Sequence, residues 1–183
     1  MTKKDYSEEQ GLIDLYNPEL KFVETLDGRG RSNVFRVREG DVHYTFKKAR
    51  RRGYHHVLSE RDALVRVSDL GHLNHLVYDY TTRGVIVKEY FEGEDINSTE
   101  RARIFLENPE LYRGLTDLVR ELNSRGIASI DLDESNIFIN PDKTDFRLIE
   151  LGGVVFEGYA NFQEGIEDDK YDIENFINDL GRI

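Results

Sequence analysis

The chain has 183 residues, 38% of them apolar and 11% aromatic, enough for one domain or two small lobes with a real core. It contains no cysteine, which excludes disulfides and cysteine-based zinc sites. A formal net charge of −11 opposes non-specific contact with nucleic acid, and the polar start with no membrane-length apolar run predicts no signal peptide, no membrane span and a cytoplasmic protein.

Residues 7–20 read as a short leading helix. Residues 21–47 read as three strands: Phe22, Val23 and Leu26 mark the first, Val34 to Val37 the second and Val42 to Phe46 the third, with a turn at Glu39-Gly40-Asp41. Between the first two lies Asp27-Gly28-Arg29-Gly30-Arg31-Ser32-Asn33. A glycine turn of this kind can hold backbone N–H groups against phosphate oxygens, Gly28 and Gly30 allowing close approach; a plain turn is the competing reading. Strand alternation puts Lys47 on one face with Thr45 and His43, and Lys48 on the other.

Lys47, Lys48, Arg50, Arg51, Arg52, His55 and His56 form a basic run. It reads either as a solvated face or as a docking patch for an acidic or phosphate-bearing partner. Residues 54–70 predict a helix ending at Gly71. Its stripe Val57, Glu60, Leu64 and Val67 shares one face, and Glu60 is the single charge in it. A carboxylate among apolar residues is costly unless a cation meets it. Lys47 is the expected partner, with Lys48 the rival.

Residues 76–80 and 84–90 predict two more strands, and residues 91–95 break the pattern as a connector. Residues 98–107 form a weak helical segment. Residues 110–125 form a strong one, with Leu111, Leu115, Leu118 and Leu122 on one face and Gly126 as its cap.

The stretch 129–152 carries the most chemistry. Asp131 and Asn136 sit five apart on a tight loop. A strand from Ile137 to Ile139 follows, then a turn at Asn140, Pro141 and Asp142, then a strand from Phe146 to Ile149 that ends at Glu150. Folding about Lys143 sets Ile139 across from Arg147 and Asn136 across from Glu150. Three oxygen side chains in one place suit magnesium; an acidic surface hairpin is the bland alternative. Residues 153–168 are Gly-rich and acidic without a period, so they read as a loop. Asp172 to Leu180 read as a closing amphipathic helix with Asp172 as N-cap and Ile173, Phe176, Ile177 and Leu180 inward.

The order of these parts resembles the protein-kinase-like fold over roughly residues 22–183. The RIO family of atypical serine/threonine kinases resembles it more closely. Gly30-Arg-Ser-Asn-Val-Phe35 is similar to that family's Asn-Val-Tyr loop, Asp131-Leu-Asp-Glu-Ser-Asn136 to its Asp-Leu-Ser-Glu-Tyr-Asn, and the segment from Tyr171 to its late Arg-Asp-Ile-Glu-Asn.

The resemblance implies a two-lobed α+β fold in a single minimal domain over 1–183. Residues 1–91 would form a small antiparallel β-sheet N-lobe and residues 92–183 a mainly helical minimal C-lobe. It implies ATP and magnesium, with a protein hydroxyl or the chain itself as acceptor. Asp131 would orient the hydroxyl, and Asn136 and Glu150 would hold magnesium. Lys47, held by Glu60, would contact phosphates under the loop with Gly28, Gly30, Ser32 and Asn33. Glu89 to Phe91 would offer backbone groups to adenine, with Val87 behind. Glu150 stands where the family usually has Asp, and Ser129-Ile130 replace the usual residues before Asp131. The alternatives are a nucleotide-binding pseudokinase and a small-molecule kinase similar to aminoglycoside, choline or lipopolysaccharide kinases.

Overall fold

The computed structural model describes residues 6–27 and 30–180. The opening helix α1 (Ser7–Asp14) is shorter than the predicted 7–20, because the chain turns at Tyr16 and Asn17 on the Ile13 carbonyl. Five strands follow: β1 (Lys21–Asp27), β2 (Ser32–Glu39), β3 (Val42–Ala49), β4 (Leu76–Tyr80) and β5 (Val85–Glu89). They pair antiparallel in the order β1-β2-β3-β5-β4. The helix α2 (Tyr54–Arg66) separates β3 from β4 and ends before the predicted Leu70, with Val67 as its C-cap.

The pleat divides this sheet into two unlike faces. Phe35, Val37, Phe46, Val85 and Val87 pack with Ile13 and Leu20 on the α1 side. Thr45, Lys47 and Lys88, next in alternation, are also buried but line the opposite, interior side. One face is an ordinary apolar core, while the other encloses polar groups that need partners.

The rest of the chain builds a second, larger core. The helix α3 (Thr99–Glu107) starts at Ser98, whose side chain accepts from the Arg101 N–H. The helix α4 (Pro109–Ser124) starts at Asn108, whose Oδ1 accepts from the Glu110 N–H. Its buried stripe contains all four predicted leucines and Val119. Gly126 follows the helix at a φ of 76°, a left-handed value that suits glycine. Two-residue strands β6 (Glu94–Asp95), β7 (Ile127–Ala128) and, later, β10 (Val155–Phe156) tie loops together; β7 pairs with β10.

The predicted hairpin forms as β8 (Ile137–Ile139) and β9 (Phe146–Leu148), but one residue out of the expected register. Ile139 pairs with Phe146 and Phe138 with Arg147. The turn explains the shift. Asn140 Oδ1 accepts from the Thr144 and Asp145 N–H groups, and its own N–H donates to the Asp145 carbonyl at 3.0 Å. Asn140 and Asp145 thus close the loop together, and Asn136 stands beside Ile149, whose N–H donates to the Asn136 carbonyl at 2.9 Å.

A second correction concerns the end of the chain. The helix α5 runs over Phe162–Leu180, ten residues before the expected start at Asp172. Its inward positions are Phe162, Gly165, Asp169, Ile173 and Phe176. Two of these five carry no apolar side chain, which hides the period. Asp172 is therefore an exposed mid-helix residue rather than an N-cap. Ile177 and Leu180 lie outside the residues whose side chains are described. No helix among the described residues is long and apolar enough to cross a membrane.

Candidate active site

A cavity of about 440 Å³ separates the two cores. Leu26, Val34, Thr45 and Lys47 line it from the sheet, and Asn136, Phe138, Ile149 and Glu150 from the hairpin. Lys47 Nζ lies on its wall. It donates to Glu60 Oε2 at 2.7 Å and to Glu150 Oε1 at 2.9 Å. Lys48 points the other way, onto the Tyr16 hydroxyl at 2.6 Å. The basic run is thus not one surface: Lys47 leaves it for the interior, Lys48 serves Tyr16 in the turn after α1, and Arg51 and Arg52 stay exposed.

Glu60 has a second cation that the sequence reading missed. Lys88 Nζ donates to Glu60 Oε1 and also to the Ile149 carbonyl. It is only 4% exposed, as is Lys47, and Glu60 is 1% exposed. Burial raises the pKa of the Glu60 carboxyl, but Lys47 and Lys88 together overcome this and bring it from 4.5 to about 2. Burial also disfavours the Lys47 ammonium; Glu60 and Glu150 outweigh it and hold its pKa above the ordinary lysine value. The available signal for Lys88 was a lysine after three apolar strand residues, Val85 to Val87, but a strand-end lysine reads equally well as solvated.

The loop from Ser129 to Asn136 is braced from two sides. Asn136 Nδ2 donates to the Asp131 carbonyl at 3.2 Å. From beneath, Asp169 accepts from the Ile130 N–H at 2.6 Å and from Asn123 Nδ2 at 2.7 Å. Asp169 is fully buried, and burial raises its pKa against the pull of those neutral donors. It is the second residue that sequence reasoning missed. The backbone there is tightly set: Ser129 has a φ of 58°, and α5 passes beneath it at Gly165. A β-carbon at Gly165 would meet Ser129 Oγ at 2.5 Å and Ser129 N at 3.1 Å. Asp131 itself is exposed. Its charge reaches α5, where burial first, and then Asp168 and Asp131, raise the Asp172 pKa.

The remaining sequence candidates scatter around the cavity. Gly28 lies outside the described residues. Gly30 is exposed, and its carbonyl accepts from Arg50 at 3.2 Å. Ser32 is buried, and its Oγ has no hydrogen-bond partner among the described residues. Asn33 turns its Oδ1 to Arg50 Nε at 2.9 Å. Phe91 lines the cavity beside Tyr90. Glu89 gives its N–H to the His75 carbonyl at 2.9 Å and its carboxylate to the His75 N–H at 3.2 Å, outside the cavity. Val87 packs in the α1-side core, so the cavity wall at that point is Lys88 and not Val87.

An all-oxygen pair, Asn136 and Glu150, on one wall of this cavity suits a hard cation. Asn136 spends its Nδ2 on Asp131, which leaves Oδ1 as an acceptor. Glu150 keeps 39% of its side chain exposed, so it can leave Lys47 for a cation.

No family model matches the sequence, and no curated protein matches it. The fold, however, is kinase-like. The solved structure of the Cydia pomonella granulovirus kinase PK-1 is similar, with a TM-score of 0.63 over 83% of this chain at 12% identity. This chain spans 58% of the length of that one.

Proposed function

We propose that the cavity binds ATP with magnesium and that the protein transfers the terminal phosphoryl group to a hydroxyl, as a RIO-type kinase acting on protein serine or threonine, its own included. The observation that carries this reading is Lys47 Nζ poised between Glu60 and Glu150, at 2.7 and 2.9 Å, on the cavity wall. Phosphoryl transfer needs mainly positioning and charge neutralisation, and this set offers both. The RIO assignment is supported by residues 30–35 and 131–136 of the sequence.

In this reading Lys47 contacts phosphate oxygens while Glu60 keeps its ammonium aimed. Asn136 Oδ1 and Glu150 hold magnesium, which when bound neutralises phosphate charge. Asp131 orients the acceptor hydroxyl and takes its proton, on a loop steadied by Asn136 and Asp169. The backbone at Tyr90 and Phe91, which line the cavity, meets the base, while the Glu89 N–H stays on His75.

Because Glu150 rests on Lys47, nucleotide and metal should act together: phosphates draw off the lysine and free the carboxylate. Magnesium plus ATP should therefore raise the melting temperature more than the two separate shifts combined. At a hundredfold its dissociation constant a ligand adds about 2.7 kcal/mol. No shift with both present would sink the assignment of the cavity. Labelled ATP then tests transfer, with an expected loss of about 10²–10⁴-fold in Asp131→Asn and intact ATP binding. A second reading, binding without transfer, draws on the Glu at position 150 and on Asp131 lying off the cavity wall. Wild-type protein that binds ATP but labels no acceptor would favour it.

A further inference from the structure

Lys47 and Lys88 line the cavity with Glu60 behind them, and the count of these three charges is uneven. Lys47 and Lys88 both donate to Glu60, one to each carboxylate oxygen. Glu150 adds the fourth charge through Lys47. The cluster of four is neutral: two ammoniums and two carboxylates. Such neutrality is what burial demands, since an uncompensated buried charge is very costly. Glu150, however, is the half-exposed member, while the other three are buried.

We propose that Lys88 is a charge-supplying and positioning residue for the nucleotide phosphates. This rests on the function proposed above. When Glu150 turns to a divalent cation, Lys47, Glu60 and Lys88 remain, with two positive charges against one negative. A lone lysine–glutamate pair would be neutral at that point. Lys88 leaves the back wall one unit positive, in a site where low dielectric strengthens its effect on an anion. Through Glu60 it also lets Lys47 swing to a phosphate without stranding the carboxylate. Through the Ile149 carbonyl it pins the residue next to Glu150.

The test is a set of dissociation constants for adenosine, AMP, ADP and ATP, with magnesium, in wild type, K88M, K88R and the double variant K88M/E60Q. Wild-type affinity should rise with ligand charge. In K88M, whose back wall is neutral, ATP should weaken more than tenfold, AMP less, and adenosine by no more than twofold. K88R keeps the charge and should restore the gradient. K88M/E60Q again carries one net positive charge and should recover most of it. A uniform loss from adenosine to ATP in K88M would mean a merely structural lysine and would overturn the proposal, as would no loss at all. If K88M does not fold, the double variant against wild type decides: a matching gradient supports the charge count and a flat one overturns it. Wild-type protein that binds none of the four ligands overturns this proposal and the function together, whereas a wild-type gradient that survives in K88M removes only Lys88.

Discussion

Glu60 and Asp169 are both carboxylates sealed from water, one beside the sheet and one in the helical half, yet they are held in opposite ways. Glu60 is met by two ammoniums, and its pKa falls to about 2. Asp169 is met only by N–H groups of neutral residues, and burial leaves its pKa raised. Unit charges repay the desolvation of a buried carboxylate; neutral donors do so only in part. The first arrangement stores charge next to a cavity. The second spends a carboxylate on geometry, fixing the loop that carries Asp131. A charged device and a mechanical brace can thus be told apart by the sign of one pKa shift.

The largest expected effect comes from removing the first carboxylate. Glu60→Ala leaves two buried ammoniums with Glu150 as their one remaining carboxylate, so one positive charge goes uncompensated, and it should cost about 3–5 kcal/mol in urea unfolding. A loss below 1 kcal/mol would mean that the lysines are solvated, and the contrast with Asp169 would fail. Asp169→Ala strands the Ile130 N–H, at about 1–3 kcal/mol, and takes one of two acceptors from Asn123 Nδ2, which keeps the Ile127 carbonyl. Its signature should be kinetic as well: turnover in the labelled-ATP assay falls while ATP affinity holds.

Acid titration sharpens the comparison. Glu60 has a lowered folded pKa, so its contribution is present above about 4.5 and is lost as pH falls towards about 2. Asp169 has a raised folded pKa, so between 3.8 and that value the fold binds more protons than the unfolded chain, and stability falls as pH rises. The stability difference between wild type and Asp169→Asn should therefore grow in favour of wild type on acidification through that window. A difference independent of pH would show that Asp169 does not titrate. The smallest effect supplies the scale. Asn108→Ala removes one neutral cap oxygen at the solvent-facing start of α4 and should cost about 1 kcal/mol with unchanged turnover.

Charge inside an apolar stripe made Glu60 legible in the sequence; strand alternation put Lys47 and Lys48 on opposite faces but left the choice open, and the contacts of Lys47 with Glu60 and of Lys48 with Tyr16 decide it. Asp169 escaped because Gly165 and Asp169 replace apolar residues on the inward face of α5, so periodicity fades where the helix begins. Lys88 escaped because it stands beside Glu89, where a lysine suits an exposed strand end equally well; only the sheet pairing shows which face it serves. The hairpin slipped because a side chain, Asn140 Oδ1, closes its turn, and residue spacing alone carries no record of that bond. What periodicity encodes was readable, namely the apolar faces; what depends on a single polar contact was not.

The bare α-carbon of Gly165 sets a standoff between α5 and the loop above it. With only hydrogen between helix and Ser129, the gap is at its minimum, and every other residue type there acts as a shim. The height of the loop that carries Asp131 is therefore set from below, by a position that holds no chemistry of its own.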